Sequence, residues 1–184
     1  MATKTLSVPA YFRTSRLSSV VGMTRSEIAR LFDRGEISGY RGSPPKRNRY
    51  VDRRSFVRWM LGHGVQHASL PHQLMCDVLI LGASRSLSAE IERLLPTDDF
   101  RVTAIQKSGQ IVHPPKALVI DASSVDPRSV MLLCAIHEEG IAESVAIVPE
   151  DGDLARIAES GIRQTVPSGT SAGDLVKLFR GLVV

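Results

Sequence analysis

Apolar positions change rhythm near residue 75 of this chain. Before that point they recur at the three-to-four spacing of short amphipathic helices. Leu17, Val20 and Val21 form one such stripe, with Thr14 placed to cap it and Gly22 to stop it. Ile28, Leu31 and Phe32 form a second. Thr24 and Glu27 precede it in the T-x-x-E spacing of a capping box, and Gly35 follows as a left-handed stop. This stripe leaves Arg25, Ser26, Ala29 and Arg30 on the outer side of the second helix. Ser38–Arg41 and Arg49–Val51 then read as two short strands around a Gly-Ser-Pro-Pro turn. Asp52 is placed to cap a third helix with Phe56, Val57, Met60 and Leu61 inward and Arg53, Arg54 and Arg58 near its outer side. Helix, tight glycine turn and helix is the layout of a helix-turn-helix, and the hairpin would be a basic wing.

Beyond residue 75 the apolar positions come in short continuous runs, each followed by an amphipathic stretch. Strands are predicted at Asp77–Leu81, Arg101–Ile105, Ala117–Ile120, Ser144–Val148 and Arg163–Val166. Helices are predicted at Ser86–Leu95, Ser129–Glu139, Leu154–Ser160 and Ala172–Leu182. Continuous apolar strands alternating with helices imply a parallel sheet covered on both faces, and a flavodoxin-like five-stranded sheet is the economical solution. Only QKSGQIVHPPK separates the second and third strands, so the helix expected there is missing or reduced to a turn. Glycines, Pro71 and polar residues between Gly62 and Gln73 read as a linker. The expected organisation is a mainly α winged domain over 1–61, a linker over 62–73 and an α/β domain over 74–184.

Charge sharpens this division. Residues 1–70 hold 13 Lys and Arg against 4 Asp and Glu, net +9, whereas residues 71–184 hold 10 against 15, net −5. Positive charge gathered on one part is the electrostatic footprint of a nucleic-acid-binding module. No apolar leader and no run of about 18 apolar residues is present, so no membrane partner and a cytoplasmic location are expected. Two cysteines, Cys76 and Cys134, make no disulfide framework and are read as free thiols. His63, His67, His72 and Cys76 recur at zinc-ligand-like intervals, yet closed structural sites usually carry tightly paired cysteines. They are read as linker histidines and a strand-leading cysteine, and neither metal nor cofactor is expected.

The run from Thr14 to Leu61 resembles the MerR/excisionase type of winged helix-turn-helix. The family's recognition-helix exit, R-G-x-I-x-x-Y-R, is matched by Arg34, Gly35, Ile37, Tyr40 and Arg41, and an arginine-rich wing follows. Ser43, Pro44 and Pro45 stand in the wing turn where family members more often carry glycines. Residues 77–184 resemble a response-regulator receiver domain, with VLILGAS, ALVIDAS, VAIVPEDGD and GIRQTVPSG as its first, third, fourth and fifth strands. Asp121 falls at the phosphoacceptor position. The acidic cluster after the first strand is replaced by Gly82, Ala83 and Ser84, the hydroxyl position by Pro149 and the lysine position by Ser168. Phosphoryl transfer to a carboxylate needs Mg²⁺ held by carboxylates and a cation to read the product. Asp121 is therefore expected to be an inactive phosphoacceptor equivalent that caps the next turn.

Together these readings predict a sequence-specific, double-stranded-DNA-binding bacterial transcriptional regulator with a non-phosphorylated pseudo-receiver for dimerisation or partner binding. Arg25, Ser26 and Arg30 would face the major groove, with Thr24 beside them. Arg41, Lys46, Arg47, Arg49 and Tyr50 would meet phosphates or the minor groove, and Arg16 would add a backbone contact. A homodimer is expected through the thinly covered second strand or the closing helix with Leu175, Leu178, Phe179 and Leu182. Two alternatives stay open: a protein-interaction adaptor without specific DNA binding, and a DNA-bending architectural factor of the excisionase kind. ILGASRSLSAEI also looks like the phosphate-binding start of short-chain dehydrogenases. Ser86 and Ser88 occupy glycine positions there, and no Tyr-x-x-x-Lys follows. No enzymatic activity is expected.

Overall fold

The computed structural model describes residues 8–45, 47–106, 115–124, 143–149, 162 and 164–179. They fall into two compact units that meet in sequence between Met75 and Cys76.

The first unit runs β1 (Tyr11–Arg13), α1 (Thr14–Val21), α2 (Arg25–Asp33), β2 (Gly39–Arg41), β3 (Arg49–Asp52) and α3 (Arg53–Gly62). Sequence periodicity missed β1, whose three residues acquire strand character only by pairing antiparallel with β3. The resulting sheet has the order β1-β3-β2. Its register sets Phe12 opposite Val51 and Val51 opposite Gly39, and Phe12 and Val51 are buried. This inner face meets Leu17, Ile28, Phe56 and Val57 in one core. Burying a side chain the size of Ile28, which is fully covered, stabilises the unit by about 2 kcal/mol.

Helix ends follow local chemistry. Thr24 caps α2 as expected, its side chain and that of Glu27 forming the reciprocal box. The αL residue Gly35 follows, and Glu36 N–H reaches back to the Leu31 carbonyl at 3.0 Å. Asp52 accepts from Ser55 N–H at 2.7 Å, so one residue both ends β3 and caps α3. Thr14 does not cap α1. It is the first helical residue, and Arg13 holds the cap position without a side-chain bond, because pairing of β1 carries extended backbone through Arg13.

Arg53 is only 1% exposed, contrary to the outer position expected of it. As the first residue of α3 it turns inward, and its Nη1 donates to the Leu74 carbonyl at 3.0 Å. Residues 62–73, expected as a linker, belong to the first unit, with a 3₁₀ turn at His67–Ser69 and Leu70 buried, and Leu74 and Met75, expected to open the α/β domain, are buried in the same core. Pro71 serves a turn closed by Leu74 N–H at 2.9 Å, and that turn carries Leu70 and Leu74, four positions apart, into the core.

The second unit contains β4 (Cys76–Leu81), α4 (Arg85–Leu94), β5 (Phe100–Ile105), β6 (Ala117–Asp121), β7 (Glu143–Val148), β8 (Gln164–Pro167) and α5 (Ala172–Phe179). Its sheet is parallel throughout, with strand order β5-β4-β6-β7-β8. This is the doubly wound, flavodoxin-like order. Ala117–Ile120 and Ser144–Val148 are buried at every position, so β6 and β7 are covered on both faces. Edge strand β5 is pinned to β4 by a two-pronged ion pair between register partners: Arg101 Nε and Nη2 donate to Asp77 Oδ1 and Oδ2 at 2.7 and 3.0 Å.

Helix α5 packs against α4. Leu175 and Phe179 are fully buried, which removes them as a dimer surface. The helices expected at 129–139 and 154–160, the shortened connection at 107–114, Cys134 and Leu182 lie outside the described residues.

Candidate nucleic-acid interface

The basic surface of the first unit is built on α2. Because Ile28 anchors the helix in the core, Arg25, Ser26 and Arg30 stand exposed on its outer side. Its N-terminus is closed internally. Thr24 Oγ1 accepts from Glu27 N–H at 3.2 Å and donates to Glu27 Oε2 at 2.7 Å, while Thr24 N–H reaches the same oxygen at 2.7 Å. The hydrogen bond from the Thr24 backbone, then that from its side chain, holds the Glu27 carboxyl below the usual range. Thr24 therefore orients the helix, its hydroxyl donor already engaged.

Ahead of α2, Arg16 is exposed on α1 with its guanidinium 5.6 Å from the Phe12 ring centre. The hairpin leaves α2 through β2 and returns through β3, and Gly42 N–H closes its turn on the Asn48 carbonyl at 2.8 Å. The Pro44–Pro45 peptide is cis, and Arg47 is exposed with a positive φ of 32°. Lys46 lies outside the described residues.

Alternation along the strands sorts the remaining wing residues onto two faces. Arg41 and Arg49 are register partners on the inner face, where both meet Asp33 at the end of α2. Arg41 Nη2 donates to Asp33 Oδ1 at 2.6 Å; Arg49 Nε and Nη2 donate to Oδ1 and Oδ2 at 3.0 and 2.7 Å. The Arg41 guanidinium also lies 5.8 Å from the Phe32 ring centre. Hydrogen bonding from Arg49 is the main influence lowering the Asp33 carboxyl. These two arginines, expected to reach outward, are thus held against α2 by a residue eight and sixteen positions away.

The outer face carries Tyr50 with residues that periodicity did not single out. Tyr50 and Tyr40 are register partners whose rings stack at 4.8 Å and 7°. Tyr11 meets Tyr40 edge-on at 5.0 Å, and the Arg13 guanidinium lies 5.5 Å from the Tyr50 ring centre. Tyr11 and Tyr40 are nearly half exposed. Strand alternation on either side of Phe12 and Val51 is the sequence signal that places them together.

In the second unit, Asp121 Oδ1 accepts from the Ser123 backbone N–H at 3.1 Å and from its hydroxyl at 2.6 Å. It caps the turn after β6, as the sequence implied. Gly82 has φ +77°, and Ser84 caps α4 by accepting from Leu87 N–H. Cys76, at the start of β4, is buried. Among the described residues, no three His, Cys, Asp or Glu side chains are grouped to hold a metal ion, and no helix is long and apolar enough to cross a membrane.

No family model and no curated protein sequence matches the chain. Among solved structures, the ChxR receiver domain from Chlamydia trachomatis is 12% identical, with a TM-score of 0.43, covering 58% of this chain and 96% of its own. A pilus assembly-related protein from Burkholderia pseudomallei is 18% identical, with a TM-score of 0.44 and coverages of 59% and 89%. The pilus assembly protein CpaE from Burkholderia thailandensis gives 18% and 0.44, with coverages of 59% and 98%.

Proposed function

We propose that the chain is a sequence-specific DNA-binding regulator of bacterial transcription. Its first unit would act as a winged helix-turn-helix of the MerR/excisionase kind, with α2 as the recognition helix. The observation that carries this reading is the exposed row Arg25, Ser26 and Arg30 on a helix anchored by Ile28 and braced to a basic hairpin, in a part of the chain with net charge +9. Arginine on such a helix pairs bidentately with guanine O6 and N7 in the major groove. Arg47 and Arg16 are among the exposed cations suited to phosphate contact.

The second unit acts in this reading as a pseudo-receiver that takes no phosphoryl group and provides dimerisation or a protein contact. Asp121 already serves a turn, and Gly82, Ala83, Ser84, Pro149 and Ser168 supply neither a carboxylate cage nor a cation.

The test is fluorescence anisotropy of the full chain on a random-sequence duplex pool at two salt concentrations, with selection of the bound fraction. An enriched site with two half-sites is expected, and Arg30→Ala should lose about 1 to 3 kcal/mol on that site and relax one position. Equal loss on every sequence would reassign Arg30 to phosphate. Absence of binding at low salt would leave the adaptor reading, which the exposed Tyr11 and Tyr40 favour as interface-type residues.

A further inference from the structure

Asp33 brings two cations of the hairpin under one carboxylate. The two contacts differ in strength of hold. Arg49 is gripped by both carboxylate oxygens and its side chain is 31% exposed; Arg41 gives one bond and is 52% exposed. The fork sits at the last residue of the helix that presents Arg25 and Arg30. Whatever loosens it alters both the free charge of the wing and the angle between wing and helix.

We propose that Asp33 is a discrimination device: it withholds Arg41 and Arg49 from the phosphates of non-specific duplex, and yields Arg41 alone when a phosphate fixed by a correctly read site competes for it. The proposal deepens the DNA-binding reading above and rests on it. Non-specific affinity is set by the number of phosphates neutralised, each contributing about 0.9 to the slope of log K against log salt. Specificity is a difference between affinities, so an internal carboxylate that suppresses the wrong complex raises it as surely as a new contact to the right one. Arg49, held at two points, keeps the hairpin braced while Arg41 exchanges partner.

The experiment compares full-length wild type, Asp33→Asn, Asp33→Glu and Glu36→Gln on a random-sequence duplex over a salt series. Asparagine retains an oxygen acceptor for the hairpin and removes the charge. Glu36→Gln removes an equal charge nearby from a residue that pairs with Arg34 and Trp59 and serves as the control. Asp33→Asn is expected to steepen the salt slope by about 1 per liberated arginine and to tighten random-duplex binding by roughly eightfold for each between 1 M and 0.1 M salt. Asp33→Glu should restore wild-type values, and adding Arg41→Gln to Asp33→Asn should remove about one unit of slope.

An Asp33→Asn slope no steeper than that of Glu36→Gln overturns the proposal, as does failure of both wild type and Asp33→Asn to bind any duplex. A measurement on the wild type does not depend on how the variant folds. The Arg49 Nε–H should stay protected from exchange with random duplex bound, and loss of that protection overturns the proposal too. If no site is enriched from the pool, sequence reading by α2 fails, while a steeper Asp33→Asn slope still supports the withholding of wing cations.

Discussion

Replacing Gly39 by alanine tests whether β2 lies as close to β3 and to α2 as the structure shows. Gly39 pairs with Val51 at φ +155°, and a Cβ built there overlaps the Tyr50 carbonyl oxygen and stands 3.0 Å from Phe32 Cε2. The first obstacle is backbone and the second a ring of the core, so neither yields cheaply. Overpacking of this kind costs about 1 to 3 kcal/mol, and backbone strain at such a φ adds a comparable amount. A total of about 3 kcal/mol is a large part of the 5 kcal/mol or so that a small domain holds. Gly35→Ala is the comparison, because its φ of +75° is equally unsuited to alanine but nothing lies within 4 Å of its added methyl. It should lose only about 1 kcal/mol. The chain's one tryptophan, Trp59, stacks on Phe56 in α3 and reports unfolding of the first unit alone. Urea titration followed by its fluorescence should show a midpoint for Gly39→Ala lower by about 2 to 3 M, at roughly 1 kcal/mol per M. Equal midpoints for the two variants would refute the close approach of Gly39 to the Tyr50 carbonyl and the Phe32 ring.

Other consequences are as direct. Arg53→Met removes the donor to the Leu74 carbonyl inside the core, and should destabilise the first unit by about 1 to 3 kcal/mol with faster hydrogen exchange across 65–74. Unchanged exchange there would mean that Leu70 and Leu74 hold this segment without it. Thr24→Ala should lose about 1 kcal/mol of helix stability, read from the same urea midpoint. The Glu27 carboxyl is lowered in the folded state, so its contribution is complete above the ordinary value of 4.5 and disappears as pH falls through the lowered one. In Thr24→Ala that acid-side fall of the midpoint should flatten. Asp77→Ala leaves the Arg101 guanidinium half-buried beside β4 without its carboxylate, and should lower the melting transition of the second unit while the Trp59 transition stays in place.

How far the sequence carried depended on the range of the interaction concerned. Capping at Thr24 and Asp52, the left-handed stops at Gly22 and Gly35, and the β2–β3 hairpin are written in residues three to ten apart. The parallel strands were legible because burial on both faces leaves continuous apolar runs, as in Ala117–Ile120. Tyr11–Arg13 is a strand only because Asp52, Val51 and Tyr50 come back beside it. The inward turn of Arg41 and Arg49 depends on Asp33, which reads in isolation as one more polar residue closing a helix. Among polar neighbours Leu70 reads as linker and Leu74 as the start of the α/β domain, although tertiary burial places both in the core of the first unit. The outer tyrosines were visible individually, and their association needed the register of all three strands.

The passage from β3 into α3 has no intervening residue, since Asp52 ends one and caps the other. Strand positions alternate sides at every residue, whereas helix positions turn through about 100°. One residue added or deleted beside Asp52 would put Val51 on the wrong side of the sheet, or swing Phe56 and Val57 about a quarter-turn out of the core. Two added residues would restore the sheet and still misdirect the helix. This joint is therefore a phase lock that tolerates exchange of residue kind and forbids change of length. A change of length in the turn between Gly42 and Asn48 would leave both of these phases intact.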